Sequence, residues 1–364
     1  MTDEVRIERV TTAAYTFPTP EVEADGTLSW QAVTAVAVTL EAGGRSGLGW
    51  TYSSPAACAV VQHHLASTVH DRDAFDVAGG WGAMHRACRN LGTKGLVMQA
   101  ISAVDIAWWD LKARLLDVAL VDLFGRTRDE VPIYGSGGFT TMNDRELEQQ
   151  VGWWQSVGCG AMKIKIGESW GTRTERDLAR VERLRELAGS HVELMVDANG
   201  GYRVKQARRV GHRLDDLGVV WFEEPVSSDD PVGLQRLRDE LRCDVTAGEY
   251  AADVFDTAGL MNSVDCLQLD ATRCGGYTGW RRCAAIASAH NLDVSAHCAP
   301  ALHAPIAAAL PHLRHIEWFA DHVRVEEELV DGVPQARDGA LWPDPHRAGH
   351  GMTLSGRAAD RRVV

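Results

Sequence analysis

The sequence predicts an α/β protein, a closed parallel barrel of alternating strands and helices preceded by a smaller α+β domain. Three observations carry this. The 364 residues are too many for one small domain and suit a barrel of roughly 250 residues with an addition. From Val131 onward, short apolar runs alternate with helical patterns. Four fragments between Met162 and Tyr250, MKIKIGE, MVDANGGY, WFEEPV and TAGEY, each pass abruptly from apolar residues into charge. A buried parallel strand looks like this when its last residue emerges at a functional rim.

In chain order, strands are expected at residues 5–10, 35–40 and 47–51, the last two joined by a turn through Gly43 and Gly44. Residues 16–31, with two prolines, several acids and Trp30, offer few anchors for regular structure. They are expected to form a loop, either an ordinary connection or a mobile lid. One apolar helix face follows in Val97, Ile101, Val104, Trp108, Leu111 and Leu115. Trp108 and Trp109 are expected in the core or between domains. Strands followed by helices define an α+β capping domain over residues 1–125.

The barrel is expected over residues 126–319. Its eight strands are read at residues 131–134, 161–166, 193–197, 219–223, 244–247, 266–270, 293–296 and 315–317. Helical patterns such as 174–188, 204–217 and 277–290 lie between them. The active site then belongs at the C-terminal ends of the strands. The tail, residues 320–364, is rich in Pro, Gly and Asp, carries no barrel period and is expected to return to the cap.

Composition narrows the function. The hydrophobic content of 45% suits a globular core, and the net charge of −13 comes without any Lys/Arg run. Nucleic acid and membrane are therefore poor partners. Eight cysteines without a CxxC pair indicate neither a disulfide framework nor a zinc knuckle. The N-terminal stretch lacks a leader pattern and no run of 18 apolar residues occurs, so a cytoplasmic protein is expected.

The chemistry lies in the spacing. Asp197, Glu223 and Glu249 recur every 26 residues, about one strand, loop, helix and return. Acids at a barrel rim often face water, but three at matched spacing would meet around one ion. Hard oxygens without Cys or His favour magnesium or manganese. Lys163 and Lys165 alternate on one strand and so share a face. If that face is the barrel interior, burial and mutual repulsion would depress their pKa values and make a base near neutral pH. Asp270 and His297 end the sixth and seventh barrel strands, 27 residues apart, where a carboxylate can orient an imidazole. Glu317 ends the last strand. Ser136, Asn199, Trp30 and Tyr52 are weaker candidates for substrate contact. A metal flanked by two bases suits removal of a proton α to a carboxylate, with the developing enediolate stabilised electrostatically.

With the K-x-K pair, the three acids, the Asp/His pair and the final Glu in this order, the chain resembles the enolase superfamily, and within it the mandelate racemase subgroup. The resemblance covers nearly the whole chain and implies a modified (β/α)7β TIM barrel with an N-terminal α+β cap. It implies that Lys165 is one base, tuned by Lys163, and that His297 with Asp270 is the other. Asp197, Glu223 and Glu249 would bind Mg2+, and Glu317 would be a hydrogen-bonding acid. The substrate would be a small carboxylate, and a homo-oligomer, with an octamer suggested, is implied.

Two reactions fit these residues. An acid sugar dehydratase would remove the α proton and expel the β-hydroxyl; a racemase or epimerase of a 2-hydroxy acid would use the same two bases with no leaving group. Dehydration is favoured because the resemblance implies that it is the commoner outcome in this subgroup. A barrel binding metal and carboxylate without turnover would have little need for both Lys165 and His297. A metal-dependent hydrolase would usually bring His ligands.

Overall fold

The computed structural model describes residues 4–364; Met1–Asp3, the start of the stretch read for a leader, lie outside the described residues. The cap opens with an antiparallel sheet of three strands, β1 (Arg9–Ala24), β2 (Ser29–Ala42) and β3 (Arg45–Tyr52), in that order. The turn between β2 and β3 runs through Gly43 and Gly44, as expected.

The start of the chain differs from the expectation in two ways. The first strand begins at Arg9, and residues 5–8 only border the sheet, with Ile7 donating to the Arg72 carbonyl. Residues 16–31 are a long hairpin rather than a loop. Phe17 pairs with Val33 and Pro18 with Ala32; the register then slips and resumes with Glu23 opposite Trp30. The ladder of main-chain bonds orders this segment without any apolar periodicity, and its prolines are tolerated on an edge strand.

The hairpin tip is docked on the barrel mouth. Thr140 donates to the Ala24 carbonyl at 2.8 Å, and Trp170 to that of Gly26 at 2.9 Å. Gly26 lies so close that a Cβ would sit 2.6 Å from the Ile166 carbonyl oxygen. Only glycine allows this approach.

Behind the sheet lies the long cap helix, Leu96–Leu115, whose expected apolar face is buried from Val97 to Leu111 and half-buried at Leu115. Gly49 of β3 abuts it directly. A Cβ there would stand 2.4 Å from both the Ala103 oxygen and the Ala107 nitrogen. Gly49→Ala is therefore expected to cost about 1–3 kcal/mol by overpacking, read as a lowered thermal midpoint. An unchanged midpoint would mean that the helix yields freely.

Eight parallel strands form the barrel: β4 (Val131–Gly137), β5 (Ala161–Lys165), β6 (Glu193–Asp197), β7 (Val219–Glu223), β8 (Asp244–Ala247), β9 (Cys266–Leu269), β10 (Asp293–Ala296) and β11 (Leu313–Phe319). They follow in sequence order, and β11 pairs with β4 to close the ring. Every expected barrel strand is present within a few residues of its expected ends. The tail differs from its expectation at its start: Ala320–Leu329 is a helix, driven by the burial of Val323, Val325 and Leu329. A hairpin, Gln335–Arg337 with Ala340–Trp342, then extends the sheet antiparallel to β4. The end returns to the cap, where Val363 donates to the Ala14 carbonyl at 2.8 Å.

Cap and barrel meet through the cap helix. Its Asp105 accepts from the Thr278 nitrogen at 2.9 Å and from the Thr278 hydroxyl at 2.6 Å. Trp109 donates its indole N–H to the same hydroxyl at 2.9 Å, so this tryptophan does lie between the domains. Trp108 is wholly buried in the cap. Burial pushes the Asp105 carboxyl up to about 7, against the hydrogen bonds from Thr278. The folded chain therefore holds a proton that the unfolded chain releases near pH 4. That contribution, of the order of a few kcal/mol, is fully present below about pH 4 and is lost as pH rises to about 7. Asp105→Asn is expected to remove the slope, so that denaturant titrations at pH 5 and pH 8 find the variant gaining on the native chain as pH rises. A constant difference would contradict it.

No helix among the described residues is long and apolar enough to cross a membrane. All eight cysteines are buried and free.

Candidate active site

Parallel register sets the level of the site. Lys165 stands opposite Asp197, and Asp197 opposite Glu223, along β5, β6 and β7. Glu249 lies two residues past β8, brought in by a turn at Gly248 (φ 134°). Asp197, Glu223 and Glu249 each offer an oxygen within 4.8 Å of the others, and all three are buried. Glu223 Oε1 and Glu249 Oε2 are buried without a hydrogen-bond partner. Burial and the charge of Asp197 push the Glu223 carboxyl up to about 7. Crowded, desolvated carboxylates with orphaned oxygens fit a hard divalent cation.

Glu224 turns away from Glu223 with φ of 37° and is itself buried. Burial, then the charges of Glu249 and Asp197, hold its carboxyl well above the usual range. The crowding beside the cluster thus favours the neutral acid at Glu224.

The lysines share the inward face of β5, and both are buried. Their protonation differs from the expectation. Burial opposes the charge on Lys163, but Glu223, Glu317 and Asp197 outweigh it and hold the ammonium well above its usual pKa. Its Nζ ion-pairs with Glu223, lies 2.8 Å from Glu317 Oε1 and donates to the Tyr134 hydroxyl at 3.1 Å. Lys165 ion-pairs with Asp197 and is likewise raised, despite burial and the repulsion of Lys163. Burial lowers both and Lys163 repels Lys165, but the acids facing them prevail.

On the other flank, His297 stands just past β10 with its Nδ1 2.9 Å from Asp270 Oδ2. This leaves Nε2 facing the mouth, 3.3 Å from Glu249 Oε2. Burial works against a charged imidazole, but Glu249 and Asp270 more than compensate and its pKa is raised. Asp270 is held below the carboxylate range: burial opposes this, and His297 and Arg273 prevail. Glu317 is bonded by the Ser136 hydroxyl at 2.6 Å on one oxygen and by the Cys298 nitrogen at 3.0 Å on the other.

The four substrate-contact candidates divide. Asn199 adjoins the cluster, donating its main-chain N–H to Asp197 at 2.8 Å, and its Oδ1 is buried without a partner. Ser136 spends its hydroxyl on Glu317, so it positions that acid. Trp30 spends its indole N–H on Glu23 (3.0 Å) and Asp321 (2.9 Å). Tyr52 stacks on His322, with ring centroids 3.4 Å apart.

Sequence reading missed three contributors. Arg273 reaches Glu249 Oε1 at 3.1 Å and Asp270 Oδ2 at 3.4 Å, tying the carboxylate cluster to the His297 flank. Its place three residues past Asp270 on a strand-end loop was the available signal. Cys298 lies against both His297 and Glu317. Phe139 and Phe319 form an aromatic roof with Trp30, the Trp30–Phe139 and Phe139–Phe319 centroids lying 5.4 and 5.7 Å apart. Lys165 Nζ stands 5.7 Å from the Phe319 ring.

With this geometry in hand, comparison with known proteins is specific. Residues 6–125 match the family model for the mandelate racemase / muconate lactonizing enzyme N-terminal domain, and residues 146–359 match that for the enolase C-terminal domain-like family. A 3,6-anhydro-alpha-L-galactonate cycloisomerase from Streptomyces coelicolor is 32% identical, over 98% of this chain and 99% of its own. An L-talarate/galactarate dehydratase from Salmonella typhimurium is 31% identical, over 86% of this chain and 79% of its own. Among solved structures, a mandelate racemase/muconate lactonizing enzyme-like protein from Rubrobacter xylanophilus superposes with TM-score 0.95 at 43% identity, covering 98% of this chain and all of that one. A racemase from Streptomyces coelicolor with bound magnesium superposes with TM-score 0.92 at 31% identity, with the same coverage.

Proposed function

The chain belongs to the mandelate racemase / muconate lactonizing enzyme family, and on that premise we propose that it removes the proton α to the carboxylate of an acid sugar and expels the β-hydroxyl as water. The observation that carries this reading is the placement of Lys165 and an Asp270-oriented His297 on opposite flanks of one carboxylate cluster. Relatives named as a dehydratase and a cycloisomerase support a substrate of the sugar-acid class.

Asp197, Glu223 and Glu249 would hold Mg2+, which supplies a Lewis-acid contact for the substrate carboxylate and stabilises the charge that builds on it. Lys163, beside Glu317, adds a fixed positive charge to the same end of the substrate. Lys165 takes the α proton. Once Asp197 no longer offers its full charge to Lys165, the repulsion of Lys163 favours the neutral amine that this requires. His297 gives its Nε2 proton to the departing hydroxyl, while Asp270 holds Nδ1 and keeps the ring aimed. Asn199 Oδ1, buried and unpaired, is placed to accept from a substrate hydroxyl. The aromatic roof excludes water above them.

A screen of magnesium-loaded protein against mono- and diacid sugars, read by semicarbazone formation, tests the reading. A 2-keto-3-deoxy product from at least one sugar acid is expected. No keto product, with an inverted 2-hydroxy acid instead, would replace dehydration by racemisation or epimerisation.

A further inference from the structure

We propose that His297, Cys298 and Glu317 form a binding site for a soft divalent cation such as Zn2+, separate from the three-carboxylate cluster and closing on the free nitrogen of the His297 imidazole. Three different donors converge there. Cys298 Sγ lies 3.3 Å from His297 Nε2 and 3.3 Å from Glu317 Oε2, and those two atoms are 3.8 Å apart. Zinc bonds of about 2.0 Å to nitrogen or oxygen and 2.3 Å to sulfur, at tetrahedral angles, put sulfur about 3.5 Å from either neighbour and nitrogen about 3.3 Å from oxygen. The three atoms thus lie within about 0.5 Å of one face of such a tetrahedron. Glu249 Oε2 lies 3.3 Å from Nε2 but belongs to the carboxylate cluster, so a water is left to complete the tetrahedron.

The surroundings hold the donors in this attitude. Asp270 takes the Nδ1 side of His297 and directs Nε2 inward, as the outer partner of a metal-binding histidine does. Ser136 and Lys163 occupy Glu317 Oε1, while the Cys298 main-chain N–H, donating at 3.0 Å, holds Oε2 toward the site. Cys298 and Ala299 are both left-handed, with φ of 51° and 39°, and this turn folds the sulfur back over the imidazole. Residues other than glycine adopt that conformation at a cost, which the surrounding contacts must offset. Among the described residues, only one other group of His, Cys, Asp or Glu side chains has such spacing, and it is the three-carboxylate cluster.

The two sites differ in the ions they select. The carboxylates offer hard oxygens alone, whereas this site adds sulfur and imidazole nitrogen, which favour zinc, cadmium or cobalt over magnesium. Binding forms a metal–sulfur and a metal–nitrogen bond and releases to solvent the thiol proton together with the Nε2 proton that His297 carries when charged. With Nε2 occupied, zinc is expected to inhibit turnover. The inhibition, though not the binding, rests on the role proposed for His297.

Cobalt titration of the magnesium-saturated protein separates the two. A thiolate-to-cobalt charge-transfer band in the near ultraviolet, saturating at one equivalent and absent from Cys298→Ser, is expected. Half-inhibition by Zn2+ should need at least about tenfold more metal in that variant. X-ray absorption of the zinc-loaded native protein should find one sulfur at about 2.3 Å and requires no variant. Oxygen and nitrogen neighbours alone, or a band that survives in Cys298→Ser, would overturn the site. A sulfur-bound zinc that leaves turnover untouched would preserve the site and remove His297 from the reaction instead.

Discussion

His297→Asn and Lys165→Ala are each expected to lower turnover by about 10²–10⁴-fold or more while leaving the fold and metal binding in place. Neither residue is among the three acids of the carboxylate cluster, and each side chain is held by a single strand-end position. In the first variant the asparagine amide could still meet Asp270, but it carries no titrating nitrogen toward the mouth. In the second, loss of the ammonium frees Asp197 from its ion pair, so metal affinity should hold or rise as the kinetic constants fall. Substantial activity in either variant, measured on the sugar acid found by screening, would contradict a two-base site. A loss of folding measured by circular dichroism would point instead to a structural role.

Glu223→Gln should weaken magnesium binding by at least about 100-fold, more than the loss of an outer partner of a ligand. The reason is local. Glu223 is wholly buried, one of its oxygens has no hydrogen-bond partner, and the other already accepts from Lys163 and from the Trp221 indole at 3.1 Å. The orphaned oxygen is therefore the one free to bind an ion. Magnesium at 100 times its Kd should raise the stability of the native protein by about 2.7 kcal/mol, and the variant should lose that increment at the same concentration. Equal magnesium-induced shifts in thermal midpoint for both proteins would remove Glu223 from the ligand set.

The parts of this molecule that were legible in the sequence are those where local pattern and tertiary position coincide. A buried parallel strand has an apolar run, and its rim residue must be polar, so Asp197, Glu223 and Glu249 could be assigned to one rim from spacing alone. The cap helix was legible for a similar reason, its large apolar residues recurring on one face, although the helix is buried nearly all round. The hairpin at residues 16–31 was not, because its order comes from main-chain pairing with β2 and from docking against carbonyls of the barrel mouth, neither of which leaves a side-chain period. The tail helix Ala320–Leu329 was obscured by the Pro- and Gly-rich residues that follow it.

The lysines illustrate a different limit. Their shared face and burial followed from alternation on a strand. Their protonation did not, because it depends on how closely Glu223, Glu317 and Asp197 approach from three other strands. Arg273 and Cys298 were missed likewise: each lies beside an expected residue in sequence, but its contact is set by the backbone turn that follows the strand end.

The function proposed for this barrel mouth depends on its removing a proton α to a carboxylate. Proton NMR of the magnesium-loaded protein with an accepted sugar acid in deuterium oxide reads that step itself. Solvent deuterium is expected in the keto product at the carbon that is reprotonated from solvent, and both chelation of the metal and Lys165→Ala should abolish its appearance. Substrate converted without any exchange of carbon-bound hydrogen, or exchange that persists in the metal-free protein, would contradict proton abstraction at this site.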